Sequence, residues 1–598
     1  MAELTDFVRR HRWSLTVGFG LLLLVAYHAV WLYRMRDGFA VDIDEAGYLM
    51  IAFNNLDALH AEGLSGLWDS YTGQYPHAPL VSLLAVPFLE VREGILPAFG
   101  VEWLALLIVG AATYGLGRTV MPAPWAALAT LTVLAMPGVV NYTREFSFAL
   151  PCAAAFTVSL FALARSRNFS SLPYALAWGA AAGLAALSRT MALGLLPGLI
   201  MAAVLWAALV PPENRRKAAI NLGLGIAASL VVAASWYAKN MDSVMDYLTG
   251  FGYGNQASEY GVEQSWLSLD RWTRALTTIT QQELFAPLLY ASAVIVHVGI
   301  GFGIHRLLQP DRKAFGMRVL RSPAMPVTVF VVAGYLALTS TTNAGSAFAL
   351  PILPGAIILL VGLASRFRPN LLRKTVAAVL LIIAAVQLLV FAQIGQPYER
   401  LRHTEVPLLG HVPVTDPRPP VVAATANVQN ELRFGDADRG WIEAGAALVT
   451  AFNEKAEEEG RTPVVVLGNR DIVLNTNLLN LSARISDQQG FPLGQVTPDN
   501  GDDAATYSEF LSDPASGLPN LLLTSANEFR DYEPLVDQSE FVKAARRTGF
   551  RPFERVIQPN GEKLTLWWLE RGPAIPSAPT EPVPPVQPAD RKKEPVPQ

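Results

Sequence analysis

The chain has 598 residues, of which 52% are hydrophobic and 16% are charged. Because soluble domains carry about a quarter of charged residues, this composition excludes a wholly soluble protein of this size. The single cysteine, Cys152, excludes a disulfide framework and a cysteine-based zinc site, and the net charge of −4, a sum over unlike regions, gives no sign of a nucleic-acid partner.

The first apolar segment, 13–33, follows a basic run at 9–12. About twenty apolar residues suffice to cross a bilayer, and no small-residue cleavage site follows, so the pattern predicts a retained transmembrane helix rather than a signal peptide. We expect its basic end in the cytoplasm. With ten further apolar segments the chain is predicted to hold about eleven spans. These further segments are 101–120, 124–141, 147–164, 172–188, 190–210, 218–237, 285–308, 326–342, 347–364 and 375–395.

A shorter apolar stretch, 78–89, contains two prolines and is too short to span. Leaving it out places the Lys/Arg-rich loops on the side of the N-terminus, which is the pattern of cytoplasmic loops. We therefore predict a multi-pass protein of the inner or plasma membrane with a cytoplasmic N-terminus. Its extracytoplasmic regions are then the first loop, the second loop, a later long loop and the C-terminal part: 34–100, 141–146, 239–283 and 397–598.

After residue 396 the charged, proline and Asn/Asp content rises, and no long apolar run recurs. Segment 441–459 has helical spacing and alternates with short buried-strand patterns. These patterns predict a small extracytoplasmic α/β domain over 397–571, separate from a transmembrane domain over 1–396. The proline-rich segment 572–598 is predicted to be a disordered tail. The strand patterns are 463–467, 521–524 and 563–569.

Three carboxylates, Asp42, Asp44 and Glu45, stand within four residues just beyond the first span. Like charges so close repel one another, so such a cluster is typical of a site that binds a cation or accepts a proton, although a solvated acidic linker fits the spacing equally well. The sequence from Tyr48 onward is apolar enough for a helix lying on the membrane surface.

Other polar side chains are predicted on the same membrane face. His77 could bind substrate or phosphate, or be an interfacial polar group. Arg144 and Glu145, in the second outer loop, could form an ordinary ion pair. Arg189, at the outer end of a span, is a candidate for holding a lipid phosphate, and a snorkelling arginine fits its position as well.

The order of these elements resembles the polytopic GT-C glycosyltransferases, in particular the protein O-mannosyltransferases and the bacterial lipid A aminoarabinose transferases. The resemblance covers roughly residues 10–400. It rests on an Asp-Glu-x-x-Tyr motif after the first span and on five later elements. These elements are Pro76-His77-Ala78-Pro79-Leu80, Glu145, Gly183 to Arg189, Ser235-Trp236-Tyr237-x-x-Asn240 and Asn343 to Pro354.

This resemblance implies a bundle of about eleven or more helices, juxtamembrane helices in the first outer loop, and a polyprenyl-phosphate sugar as donor. It implies that Asp44 acts as general base on the acceptor or positions it, that Glu45 supports Asp44, and that Arg189 faces the donor phosphate. Glu145 would be the acidic residue of the second loop. The sequence departs from the family pattern at Asp42, an additional carboxylate, and at 347–348, where Ala-Phe replaces a frequent Arg-Tyr pair.

Sugar transfer requires removal of a proton from the acceptor hydroxyl and release of a lipid phosphate, so it needs a carboxylate and a cation on opposite sides of the sugar. We expect catalytic roles for Asp44 and Glu45 in a transferase that inverts the anomeric centre, with a glycan, lipid or protein as acceptor. The clustered carboxylates could also hold a divalent cation, Mg or Mn, through oxygen ligands. The residues expected to bind substrate are Asp42, Tyr48, His77, Arg144, Glu145 and Arg189.

Two other classes of protein fit part of the pattern. A transporter or lipid flippase would also have many helices, but transporters place ionisable groups in mid-membrane, and here the charge collects at one surface. A membrane-anchored binding or scaffold protein would leave Asp44 and Glu145 without a role. The sequence favours the glycosyltransferase.

Overall fold

The computed structural model shows an α-helical integral membrane protein with a small C-terminal sheet. The residues it describes are 2–36, 41, 43–73, 76–254, 257, 265, 268–310, 312–343, 347–392, 405–406, 410–411, 440–468, 473–496, 503–514, 517–525, 536–559, 561 and 563–570. The helices up to residue 392 are Ala2–Met35, Ile43–Tyr71, Leu80–Val91, Ile95–Ala98, Gly100–Val120, Ala123–Leu134, Pro137–Tyr142, Ala149–Arg165, Leu172–Ser188, Leu196–Ala208, Arg215–Tyr253, Leu269–Ile279, Ala286–Leu307, Arg312–Leu320, Ala324–Ser340, Leu353–Ala364 and Asn370–Phe391.

Six helices in the described part of the chain are long and apolar enough to cross a membrane, or seven if a pair bent by 70° is one span. The expected count of about eleven is therefore not confirmed. Several expected spans contain helices of only 12 to 17 residues. In one of them Pro137 separates two helices, because proline lacks an N–H donor and its ring clashes with the preceding turn. The six are Val8–Arg34, Ile95–Val120, Thr190–Ala208, Pro212–Tyr253, Pro287–Leu307 and Asn370–Leu389.

The segment 34–100, which the sequence predicts as the first outer loop, holds two packed helices followed by the short helix Ile95–Ala98. Helix Ile43–Tyr71 is kinked at Gly63, whose φ of 66° is in the left-handed region. Helix Leu80–Val91 occupies the stretch that was expected to be too short to span, and it is 12 residues long. The Ser82 hydroxyl donates to the Tyr48 carbonyl, which joins the two helices near their N-terminal ends.

The C-terminal part holds a five-stranded sheet. Its predicted helix, 441–459, is confirmed as Trp441–Glu458, and the three predicted strands are confirmed with bounds shifted by at most two residues. The domain limits 397–571 stay a prediction, because most of 397–439 and all of the tail 572–598 lie outside the described residues. The further helices are Thr476–Ile485, Ala504–Ser512 and Gln538–Arg547; the strands of the sheet are β3 (Val465–Leu467), β4 (Leu493–Gln495), β5 (Leu521–Ser525), β6 (Phe550–Ile557) and β7 (Lys563–Leu569), after a short antiparallel pair β1 (Glu405–Val406) and β2 (Gly410–His411).

The strand order is β4-β3-β5-β7-β6, with β3 parallel to β4 and β5 and the pairs β5–β7 and β7–β6 antiparallel. Successive side chains of a strand point to opposite faces. Val466 and Leu522 therefore pack against Ala504–Ser512 and Gln538–Arg547 on one face. On the other face, Val465 and its neighbours join one hydrophobic core with residues of helix Ile43–Tyr71.

Candidate active site

Two neighbouring carboxylates begin helix Ile43–Tyr71, where the positive end of the helix dipole favours negative charge. Successive helical residues are about 100° apart around the axis, so the two side chains point in different directions. Asp44 is exposed, whereas Glu45 is 1% exposed. The third predicted carboxylate, Asp42, lies outside the described residues. Of the described pair, only Asp44 is exposed to solvent.

Glu45 has structural partners on two sides. Its carboxylate forms a buried ion pair with Arg36, at the end of the first helix, and accepts a hydrogen bond of 3.0 Å from the Phe146 N–H. Glu102 accepts a bond of 3.1 Å from the next N–H, that of Ser147. These bonds fix the segment around 146–147 against the acidic motif. Glu145 is buried in this segment, at 2% exposure.

His77 is a further site residue, and the charge of the exposed carboxylate acts on it. Burial lowers the pKa of His77, and the negative charge of Asp44 opposes this shift, so the two groups interact electrostatically. The His77 ring makes edge-to-face contacts with Tyr48, at 5.9 Å between centroids, and with Tyr247, at 5.4 Å. The lowered pKa indicates a neutral imidazole at pH 7.

Thr190 connects His77 to the predicted phosphate-binding arginine. Its hydroxyl donates to the Pro76 carbonyl at 2.7 Å and accepts from the Ala78 N–H at 3.1 Å, so it holds the residues on both sides of His77. The preceding residue is Arg189, which is extended (φ −155°, ψ 125°) at the end of helix Leu172–Ser188. The structure thus brings His77 and Arg189, 112 residues apart, to the same place.

Arg189 lies between two aromatic rings. Its guanidinium carbon is 4.1 Å from the centroid of Phe148 and 4.1 Å from that of Phe348. Contacts of this kind stabilise a cation through the negative faces of the rings. We call these three residues the arginine clamp. Phe148 also contacts Tyr48 edge to face at 5.1 Å, which links the clamp to the pair of His77 and Tyr48.

The positive charge of the clamp reaches other residues as well. Electrostatic interactions join Arg189 to the hydroxyls of Tyr48, Tyr142 and Tyr247 and to the thiol of Cys152. A cavity of about 40 Å³ lies beside it, lined among others by Cys152 and Phe348. The candidate active site therefore contains the Arg189 cation in contact with aromatic rings. Tyr48 and His77 link it to the exposed carboxylate of Asp44.

Arg144 lies in another environment. Its Nε donates to His28 at 3.0 Å, its terminal nitrogens donate to the carbonyls of Phe391 and Ala392, and its guanidinium stacks on Trp31 at 3.7 Å. Burial lowers the pKa of Arg144 to about 9. These contacts join the first span to the end of the helix Asn370–Phe391. The substrate-binding role expected for Arg144 stays a prediction, and its observed contacts are structural.

Some residues of the site were not expected from the sequence. Tyr247, Phe148 and Glu283 come from three separate elements, and no local motif marks them. Phe348 had a signal, because it stands where the related sequences frequently have Tyr. Glu283 is buried on the π-helical turn Thr280–Leu284, and the positive charge of Arg189 acts on its carboxyl group.

Among the residues that the structure describes, no group of three or more His, Cys, Asp or Glu side chains could hold a metal ion. Glu45 is paired with Arg36, which leaves Asp44 as the one described carboxylate of the motif that faces outward. Because Asp42 lies outside the described residues, the divalent cation that the acidic cluster could hold stays a prediction.

Two solved structures share this fold over nearly the whole chain. Both are of ArnT from Cupriavidus metallidurans. The apo structure has 15% sequence identity and a TM-score of 0.52, covering 92% of this chain and 97% of that one. The structure bound to undecaprenyl phosphate has 16% identity and a TM-score of 0.52, covering 92% and 98%. No family model and no curated protein matches the chain. The expected fold, that of the GT-C membrane glycosyltransferases, is thus confirmed.

Proposed function

We propose that this protein is a membrane glycosyltransferase that moves a sugar from a polyprenyl-phosphate donor to an acceptor on the extracytoplasmic face. The acceptor class is a glycan, lipid or protein. One observation carries the proposal: the exposed carboxylate of Asp44 acts electrostatically on His77, and ring contacts through Tyr48 and Phe148 connect His77 to the buried cation of Arg189. The fold is shared with ArnT, which has been solved with undecaprenyl phosphate bound.

In the proposed reaction, the acceptor hydroxyl attacks the anomeric carbon and the polyprenyl phosphate leaves. Asp44 accepts the hydroxyl proton as general base, and Arg189 binds the phosphate as its charge develops. The planar guanidinium carries N–H donors in a fork that matches the geometry of phosphate oxygens. Attack and departure on opposite faces of the sugar would invert the anomeric centre.

Tyr48 and His77 line the proposed space between base and cation. A neutral imidazole can donate one hydrogen bond and accept another, which suits the hydroxyls of a sugar. Aromatic rings around the sugar also exclude water, which would compete with the acceptor for the donor. Glu45 supports Asp44 by fixing the start of its helix through Arg36 and Phe146.

Transfer of labelled sugar from a polyprenyl-phosphate donor, measured in membranes, tests the proposal. We expect Asp44→Asn to reduce transfer by at least about 100-fold, since general-base catalysis contributes 10²–10⁴-fold. Asp69→Asn is the matched control, because Asp69 is an exposed carboxylate on the same helix. Equal transfer by wild type and Asp44→Asn would refute the assignment of the base, and absence of any transfer by wild type would refute the proposed function.

A further inference from the structure

Glu283 is a buried carboxylate to which the proposed reaction gives no role. Its side chain is 2% exposed, and it accepts hydrogen bonds from the backbone N–H groups of Ala347 and Ala349. Its Oε2 atom has no hydrogen-bond partner among the described residues, so both bonds end on Oε1. Gly138 allows this close approach, because a Cβ atom there would lie 3.1 Å from the Glu283 Cβ.

The segment that Glu283 binds is a strained turn. Ala347 has a φ of 66°, a left-handed conformation that costs a non-glycine residue roughly 1–2 kcal/mol. Hydrogen bonds from both ends of the tripeptide 347–349 to one carboxylate oxygen offset this cost. The residue between the two donors is Phe348, whose ring belongs to the arginine clamp. Glu283 therefore controls where this ring lies.

Glu283 also acts on the clamp through its charge. The positive charge of Arg189 favours the ionised carboxylate, whereas burial raises the pKa of Glu283 to about 7. When ionised, this carboxylate offsets part of the positive potential at Arg189, because buried charges are poorly screened. The same carboxyl group thus has two effects on a bound phosphate, one through the turn and one through its charge.

We infer that Glu283 is a positioning residue of the donor site: it holds Phe348 against Arg189 through the 347–349 turn, and it moderates the cation that meets the donor phosphate. The inference rests on the proposed function, since it assumes that Arg189 binds that phosphate. It makes opposite predictions for two substitutions. Glu283→Gln keeps an oxygen that can accept both N–H bonds and removes the charge, whereas Glu283→Ala removes both.

Binding of undecaprenyl phosphate to the full-length protein in detergent at pH 8 tests this inference. We expect Glu283→Gln to lower the dissociation constant by about 3- to 10-fold, as removal of one like charge does, and Glu283→Ala to raise it by a similar factor. A purely structural carboxylate would give weaker binding for both. That result, or unchanged binding in both variants, would overturn the inference. If Glu283→Ala does not fold, the sign of the Gln effect alone decides.

A double substitution shows whether the effect passes through the ring. We expect Phe348→Ala to weaken binding, and Glu283→Ala to add little once Phe348 is gone, because residues that act through one contact are not additive. Additive losses would contradict the positioning role. Wild type that binds no undecaprenyl phosphate and transfers no sugar would refute the proposed function itself. Wild type that does both, with no effect of Glu283 variants, would refute only the role of Glu283.

Discussion

At the scale of single residues, the two carboxylates that begin helix Ile43–Tyr71 lie in opposite environments. Glu45 is buried against the charge of Arg36, and Asp44 is exposed. Breaking a buried ion pair by removing one partner leaves an uncompensated charge and costs about 3–5 kcal/mol. Removing an exposed carboxylate leaves the folded state nearly unchanged. Burial therefore separates a residue that supports the fold from one that is available for chemistry.

We accordingly expect Glu45→Gln to lower the thermal unfolding temperature of the purified protein, because Arg36 loses its counter-charge. Asp44→Asn should unfold at the wild-type temperature while losing sugar transfer. Unfolding in detergent, followed by intrinsic tryptophan fluorescence, measures both variants. Equal unfolding temperatures for the two variants would contradict the assigned roles.

A second residue-scale prediction concerns pH. The pKa of Glu283 in the folded protein is about 7, above its ordinary value of 4.5. Between these values the folded state binds more protons than the unfolded state. The stabilisation that comes from Glu283 is therefore fully present below about pH 4.5. It falls as the pH rises to about 7 and is constant above that pH. The free energy of unfolding lost in this way is on the order of 3 kcal/mol, because the pKa of Glu283 differs by about 2.5 between the folded and unfolded states.

Glu283→Gln isolates this effect, because the amide does not titrate. The free energy of unfolding of wild type minus that of Glu283→Gln, measured from pH 5 to pH 8, should decrease up to about pH 7 and then level off. A difference that stays constant over this range would show that Glu283 is ionised throughout.

Sequence patterns could mark Asp44, His77 and Arg189 as candidates because each belongs to a short local motif. They could not show that Glu45 forms an ion pair with Arg36, since the residues between Arg36 and the motif have no distinctive pattern. Glu283 was beyond reach for a related reason. The donors that bond to its carboxylate are backbone N–H groups more than 60 residues later in the sequence, and no pattern of side chains marks such a hydrogen bond.

At the scale of elements, helix Thr476–Ile485 lies along helix Ile43–Tyr71. Asn477 donates to the Ile43 carbonyl at 2.8 Å, beside the acidic motif. Arg484 donates two hydrogen bonds to Asp57, of 2.6 and 3.1 Å, and reaches Glu93 at 2.6 Å. These contacts fix the helix that carries Asp44 at both ends of the shared surface. The C-terminal domain is therefore a support for the candidate base.

We expect Arg484→Ala to loosen this contact. Partly exposed ion pairs contribute about 0.2–1 kcal/mol each, so loss of the two carboxylate contacts should cost about 0.4–2 kcal/mol. Amide hydrogen exchange within helix Ile43–Tyr71 should become faster by about 2- to 30-fold as a result. Lys543→Ala is the control, because Lys543 pairs with Glu540 of its own helix. Equal exchange in the two variants would contradict a supporting role.

The strands and the helix after residue 440 could be predicted because buried strands have short apolar runs and the helix has regular spacing. The number of membrane-spanning helices could not be predicted in this way. Pro137 divides one apolar segment, and helix Leu353–Ala364 leaves out the first residues of another, 347–364. Hydrophobicity averaged along the sequence does not show where a helix begins. The first residue of a helix depends on the positions of prolines and on packing with neighbouring helices.

At the scale of the whole molecule, the two parts of the chain share one hydrophobic core. Phe53 and Leu56 of the outer-loop helix and Leu467 and Leu566 of the sheet are each at most 1% exposed and belong to the same cluster. Burying one such side chain contributes about 1.5–3 kcal/mol. The two parts are therefore expected to depend on one another for stability, although the sequence divides them clearly by composition.

Truncation tests this dependence. A chain ending at residue 396 would expose the apolar surface of helix Ile43–Tyr71 and lose the contact of Asn477 with the Ile43 carbonyl, so we expect it to aggregate in detergent and to transfer no sugar. A chain ending at residue 571 is the control. It keeps the whole described sheet and should match wild type in unfolding temperature and in transfer. If the shorter chain stayed monodisperse with wild-type transfer, the C-terminal domain would have no part in holding Asp44, and its contacts with the outer-loop helices would serve some other purpose.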